Sequence, residues 1–181
     1  GAAASAWLRS SSAATAFPWS TNALIASWDL FERTTRRWEK PDFGVHTVVG
    51  HDYRAVLPRV VDERPFGRLL QFSTDESVGA PRVLLVAPMS GHYATLIRGT
   101  IEGLLPTHDV FVTDWANARD VPLAEGAFGL DDYIDYVIHY FRVLGPDFHV
   151  MAICQPAVPV LAAVALLSAH NDPAVPRSMT L

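Results

Sequence analysis

The chain has 181 residues, half of them apolar, with a net charge of −5 and one cysteine. Such a length suits one domain with a substantial core, and the lack of basic excess excludes an electrostatic nucleic-acid footprint. A single cysteine excludes an internal disulfide framework and fits a reducing compartment, while no unbroken apolar run approaches bilayer-spanning length.

The chain opens on Gly1 rather than methionine, so a processed, trimmed or partial chain is expected. Residues 1–20 are mostly small and polar, with scattered Trp7, Phe17 and Trp19. They lack the compact apolar block of a secretory signal and read as a loosely ordered arm ahead of one domain over 21–181. From Thr21 to Trp38, Leu24, Trp28 and Phe31 recur at helical spacing beside Ile25. This face is expected to pack against the domain; contact with a polymer or lipid surface is the other use open to it. Pro41 closes the helix. Strands are expected at 44–49, 53–61 and 66–73, broken at Gly50-His51-Asp52 and Arg64-Pro65, as an antiparallel hairpin leading the sheet.

After a polar loop, Arg82-Val83-Leu84-Leu85-Val86-Ala87 reads as a central strand covered on both faces. It runs into Pro88-Met89-Ser90-Gly91-His92 and a helix over 93–105. Residues 109–113 form the next strand, ending at Asp114-Trp115, and a helix follows over 131–144. Asp131 and Asp132 at its start suit capping and the helix dipole. Phe148 to Ile153 is another strand, 157–167 a helix, and Ser178 to Leu181 begins a last strand. This alternation argues for a doubly wound, mostly parallel sheet.

Ala152-Ile153-Cys154-Gln155-Pro156 joins an apolar strand to an apolar helix with the lone thiol at the bend. A strand, a sharp turn and a helix with a reactive atom between them is the nucleophile elbow of α/β-hydrolases. Compact residues are needed two before and two after the nucleophile, where Ala152 and Pro156 stand. Proline also suits a first helical turn, where its missing N–H costs nothing. The Gln155 N–H would open the helix and face a developing oxyanion, and Met89 or Ser90 would supply a second donor from the neighbouring loop. A buried, inert Cys154 and an ordinary turn at 88–91 are the structural readings of the same residues.

His92 is the histidine best placed to face such a pocket, or else a polar residue at a helix start. Asp114-Trp115 ends a strand where functional residues gather, and a satisfied Asp with a packed Trp explains the pair equally well. The other six histidines show no metal-ligand spacing with Cys or Glu, and neither a phosphate loop nor a dinucleotide fingerprint is present. No metal or other cofactor is therefore expected. In α/β-hydrolases the acid and then the histidine follow the nucleophile. Only His170 and Asp172 do so here, beyond a helix about 20 Å long. The acid, the base and the remaining strands are expected outside this sequence, so the fold is incomplete within it.

Together these segments resemble the N-terminal half of an intracellular-type polyhydroxybutyrate depolymerase. The likeness is carried by Glu39-Lys40-Pro41-Asp42-Phe43, by 87–96, by Val112-Thr113-Asp114-Trp115, by 121–128 and by Cys154-Gln155-Pro156 with the helix after it. It implies an α/β-hydrolase fold and hydrolysis of poly(3-hydroxybutyrate) esters through a Cys154 acyl-thioester, releasing 3-hydroxybutyrate or oligomers. Its implied partners are a polyester granule or oligomer and the other half of the domain, within the same chain or as a separate one. Its implied location is cytoplasmic and granule-associated, with an exported form also consistent. Two other functions fit: a polyhydroxyalkanoate synthase-like acyltransferase, against which Ala152 and Pro156 argue, and a non-catalytic granule-binding protein.

Overall fold

A computed structural model describes residues 18–36, 39–49, 52–74, 77, 79–89 and 93–181. The chain divides into two units, residues 1–40 and 41–181. The first contains helix α1 (Pro18–Thr35), which takes in the last residues of the expected arm because Pro18 is well suited to a first helical turn. On its apolar face Ile25 is buried, whereas Leu24, Trp28 and Phe31 are exposed.

The second unit begins with a two-stranded antiparallel hairpin, β1 (His46–Val49) and β2 (Asp52–Ala55). A second hairpin, β3 (Arg59–Arg64) and β4 (Gly67–Phe72), joins the main sheet. The expected strand at 53–61 is thus two strands. Pro58 lacks the N–H a ladder needs, so the chain leaves one sheet at Val56-Leu57-Pro58 and enters the other at Arg59.

The remaining elements are β5 (Arg82–Val86), a 3-10 turn (Ala94–Ile97), α2 (Arg98–Leu104), β6 (Asp109–Trp115), a second 3-10 turn (Leu123–Glu125), α3 (Leu130–Leu144), β7 (Phe148–Ala152), α4 (Ala157–Ala169) and β8 (Ser178–Thr180). The helix expected over 93–105 therefore starts as a tighter turn. β6 runs two residues further than expected and takes Asp114 and Trp115 into the ladder, where they face Arg68 and Gly67 of β4. At the start of α3, the Gly129 N–H donates to the Asp132 carboxylate at 2.7 Å, so Asp132 closes the first turn.

Among the described residues the main sheet has six strands in the order β3-β4-β6-β5-β7-β8. β6, β5, β7 and β8 are parallel, and β4 pairs antiparallel to β6. This is a mixed α/β architecture. Strand alternation divides the core: Leu84 and Val86 pack with Tyr136, Val137, Phe141 and Val160 of α3 and α4 on one face. Val83, Leu85 and Ala87 pack with Ile97, Ile101 and Leu105 on the other. Helices thus cover both faces, which is why β5 reads as a continuous apolar run. At the far end of the sheet the Arg82 guanidinium donates to the carbonyls of Leu144, Pro146 and Asp147, tying the end of α3 to the start of β5.

Candidate active site

β5 passes to β6 on one side, whereas β7 passes to β8 on the other. The order therefore reverses between β5 and β7, and ligands of such sheets bind outside the carboxyl ends of strands at that switch point. Two segments meet there: 87–89 after β5, and 153–156 after β7. Pairing of Val86 with Ala152, and an Ile153 N–H donating to the Val86 carbonyl at 3.2 Å, carry the two strands side by side to the edge of the sheet.

Beyond that edge Cys154 takes φ +70°. An L-residue in the left-handed region costs about 1–2 kcal/mol, so the surrounding structure must impose the conformation. The restraints are visible. Ala152 before it and Pro156 after it are both buried. The Ala157 N–H donates back to the Cys154 carbonyl at 3.2 Å, and the Val160 N–H to Pro156 at 3.0 Å, closing the bend into α4. Pro159 lies buried in the first turn of α4, where its missing N–H breaks no helical bond. The thiol itself is exposed.

The segment after β5 is held from below. The Ala87 N–H donates to Thr113 Oγ1 at 2.9 Å. Its carbonyl accepts from Trp115 Nε1 at 2.8 Å and from Tyr133 Oη at 3.3 Å. All three bonds are buried, and the Trp115 ring packs so close to Gly67 that an added Cβ would meet it at 2.9 Å. Burial pushes the Tyr133 hydroxyl above its ordinary pKa, so it remains a donor. Two residues on, the Met89 N–H donates to Gln155 Oε1 at 2.9 Å, a direct bond between the two segments.

Of the residues singled out in the sequence, Cys154, Gln155 and Met89 therefore meet at one place. Ser90 and His92 lie outside the described residues. Asp114 is 2% exposed and pairs with Arg68 across the strands at 2.9 Å, and Trp115 is buried with its ring nitrogen donating to the Ala87 carbonyl. Thr113 and Tyr133 were not singled out, because nothing in their spacing shows that they converge on Ala87. The sequence points to the Gln155 backbone, and the structure also engages its side chain, through Met89.

The histidine bonds that involve described residues lie elsewhere. His46 bonds Gly44, His108 bonds Thr107, His139 bonds Asp62, His149 bonds Ser178 and His170 bonds the Leu166 carbonyl. Asp172 follows the far end of α4, where the Ala174 N–H and the Arg142 guanidinium hold its carboxyl below the usual range. Among the described residues no three His, Cys, Asp or Glu side chains form a group able to hold a metal. Nor, among them, is any helix long and apolar enough to cross a membrane.

No family model matches the chain, and no curated protein matches it. Among solved structures, a predicted CIB-like hydrolase from Thermoplasma acidophilum is similar at 11% identity with a TM-score of 0.40. The match covers 69% of this chain and 61% of that one, so the chain spans less than two thirds of the hydrolase's length.

Proposed function

We propose that this chain carries the nucleophile of an ester hydrolase of the α/β-hydrolase type, acting on poly(3-hydroxybutyrate) through Cys154. One observation carries the reading: an exposed thiol held at φ +70° at the carboxyl end of a central parallel strand. Structures keep non-glycine residues in that conformation where it serves a purpose, and presenting a nucleophile is such a purpose.

In this mechanism the Cys154 thiolate attacks the ester carbonyl carbon, and the carbonyl π pair moves onto oxygen. Backbone N–H groups of Gln155, at the start of α4, and of Met89, or of Ser90 beside it, stabilise the oxyanion. The oxyanion collapses, the acyl C–O bond breaks, and the alcohol end of the polymer leaves with the proton that the base took from the thiol; water then breaks the Sγ–C bond of the thioester, releasing the acid and restoring Cys154. Thr113, Trp115 and Tyr133 act one step back, by fixing Ala87 and so the direction of the Met89 amide. The general base and its orienting acid are expected outside this sequence, since only His170 and Asp172 follow Cys154 and both lie beyond the far end of α4. The substrate class rests on the resemblance carried by 39–43, 87–96, 112–115, 121–128 and 154–163.

The exposed Leu24, Trp28, Leu30 and Phe31 of α1 favour a second reading, binding of a polyester surface without turnover. Incubation with amorphous poly(3-hydroxybutyrate) granules tests both. Release of 3-hydroxybutyrate or oligomers that disappears in Cys154→Ala supports hydrolysis. Near-normal release by that variant refutes it, binding without release supports the second reading, and chain growth from a coenzyme A thioester supports the synthase-like alternative.

A further inference from the structure

The loop from 116 to 129, between β6 and α3, is exposed except at Asn117, Val121 and Phe128, which are half-buried, yet both of its ends close on one residue. At its start the Ala116 N–H donates to the Phe66 carbonyl at 2.9 Å, and near its end the Phe128 ring packs against the Phe66 ring with centroids 4.7 Å apart. Phe66 is itself tied to α3, because its N–H donates to Tyr136 Oη at 3.3 Å. Surface loops whose ends are held together in this way are frequently functional. Phe128 does more than close the loop. Its ring also meets those of Trp115 at 6.1 Å, Tyr133 at 6.2 Å and Tyr136 at 5.2 Å. Trp115 and Tyr133 are the two donors to the Ala87 carbonyl, and they stand on different elements, one at the end of β6 and the other in the first turn of α3. Their rings touch edge to face at 4.7 Å, and Phe128 packs against both.

We propose that Phe128 is a positioning residue of the Cys154 reaction: its ring wedges the Trp115 indole and the Tyr133 phenol against the Ala87 carbonyl, and so fixes the Met89 amide that faces the acyl oxygen. The inference rests on the proposed Cys154 chemistry and adds to it a residue that acts only through others. Aromatic pairs at these separations are attractive beyond the area they bury, so removing the Phe128 ring loosens both donors at once. Ala87 is then held less firmly, and the amide two residues on loses its aim. Acylation slows by up to the worth of one hydrogen bond, roughly two- to tenfold. A reaction of the same sulfur that forms no oxyanion keeps its rate.

Two reactions of Cys154 therefore test the wedge. With p-nitrophenyl acetate, an Sγ–C bond forms at the acyl carbon, the bond from that carbon to the phenolic oxygen breaks, p-nitrophenolate leaves and the thiol proton passes to buffer. That route passes through an oxyanion. Alkylation by iodoacetamide forms an Sγ–C bond, releases iodide and gives the thiol proton to buffer without one, and so reports thiolate availability alone. Both rates are measured on the protein, with the adduct located on Cys154 by peptide mass. The acylation-to-alkylation ratio should fall roughly two- to tenfold in Phe128→Ala relative to wild type. The Trp115 indole N–H, followed by NMR, should move upfield and exchange faster in the same variant. A ratio that does not fall refutes the wedge, as does an indole signal that stays in place. If Phe128→Ala does not fold, Phe128→Leu, which keeps an apolar side chain without the ring, carries the same test with the same sign. Leu123→Ser, in the same loop but 97% exposed, should leave the ratio at its wild-type value. An equal fall there refutes the wedge, since the loop rather than the ring then sets the amide. Alkylation without any acylation in wild type refutes the hydrolase reading and the wedge with it, an outcome distinct from acylation at an unchanged ratio.

Discussion

Replacing Cys154 with glycine, and separately with alanine, tests the strained bend itself. The side chain is exposed, so truncating it removes little packing, and the two variants differ mainly in backbone freedom. At φ +70° alanine keeps the left-handed penalty of about 1–2 kcal/mol, which glycine does not incur. Glycine, however, gains unfolded-state entropy over alanine, costing about 0.4–1 kcal/mol. The difference leaves Cys154→Gly more stable than Cys154→Ala by about 0.5–1 kcal/mol, or about 1–4 °C in Tm for a chain of this size. At an ordinary strand or helix position the order is reversed, so the sign alone decides. Urea unfolding followed by tryptophan fluorescence measures it. If Cys154→Gly is the less stable of the pair, the backbone there is not left-handed and the elbow argument fails. If the order holds, the thiol is maintained at a cost in stability that a purely structural cysteine would have no reason to bear.

Two further substitutions address the layer beneath the site. Tyr140 is fully buried, and its hydroxyl has no hydrogen-bond partner among the described residues. Tyr140→Phe should therefore stabilise the protein by about 1 kcal/mol at neutral pH, as read from urea midpoints. Burial raises the folded-state pKa of Tyr140, as it does for Tyr133. The unfolded chain then loses its tyrosine protons first, near pH 10. Stability is full below that pH and falls as pH rises toward the folded-state value, by up to about 1.4 kcal/mol per pH unit for each such group. Tyr140→Phe should flatten this alkaline fall, and an unchanged slope between pH 9.5 and 11 counts against it. Trp115→Phe removes the 2.8 Å bond to Ala87 and part of a buried ring, and should cost about 2–3 kcal/mol. Acylation of Cys154 should slow more than its alkylation, because only acylation uses the Met89 amide; equal slowing refutes Trp115's positioning role.

Much of the sheet was legible because its physics is local. The apolar run at 82–87 announced a strand covered on both faces, and the pattern of 148–156 announced a strand broken at the thiol. Pro156 and Pro159 were readable as first-turn residues because proline's constraints do not depend on what surrounds it. The boundaries that differ have two causes, a local breaker inside an apolar stretch and a ladder partner distant in sequence. Pro58 splits the 53–61 stretch despite its apolar residues, and Asp114-Trp115 extends β6 only because β4 supplies Arg68 and Gly67 opposite. At the site, Cys154 and Gln155 were apparent as neighbours in sequence. The bonds that give them a setting were not, since Thr113, Trp115 and Tyr133 reach Ala87 across 26, 28 and 46 residues.

The Met89 nitrogen and the Gln155 oxygen belong to residues 66 positions apart, and β6 and α3 are synthesised between them. Closing so long a loop is slow and entropically unfavourable, and side-by-side parallel pairing leaves no short route to it. Until the strand leading into Cys154 docks beside its partner, nothing distinguishes this sulfur from a cysteine on an open coil. Its chemical individuality is therefore acquired late in folding, so the rate at which an electrophile discriminates it is a clock for the docking of that strand.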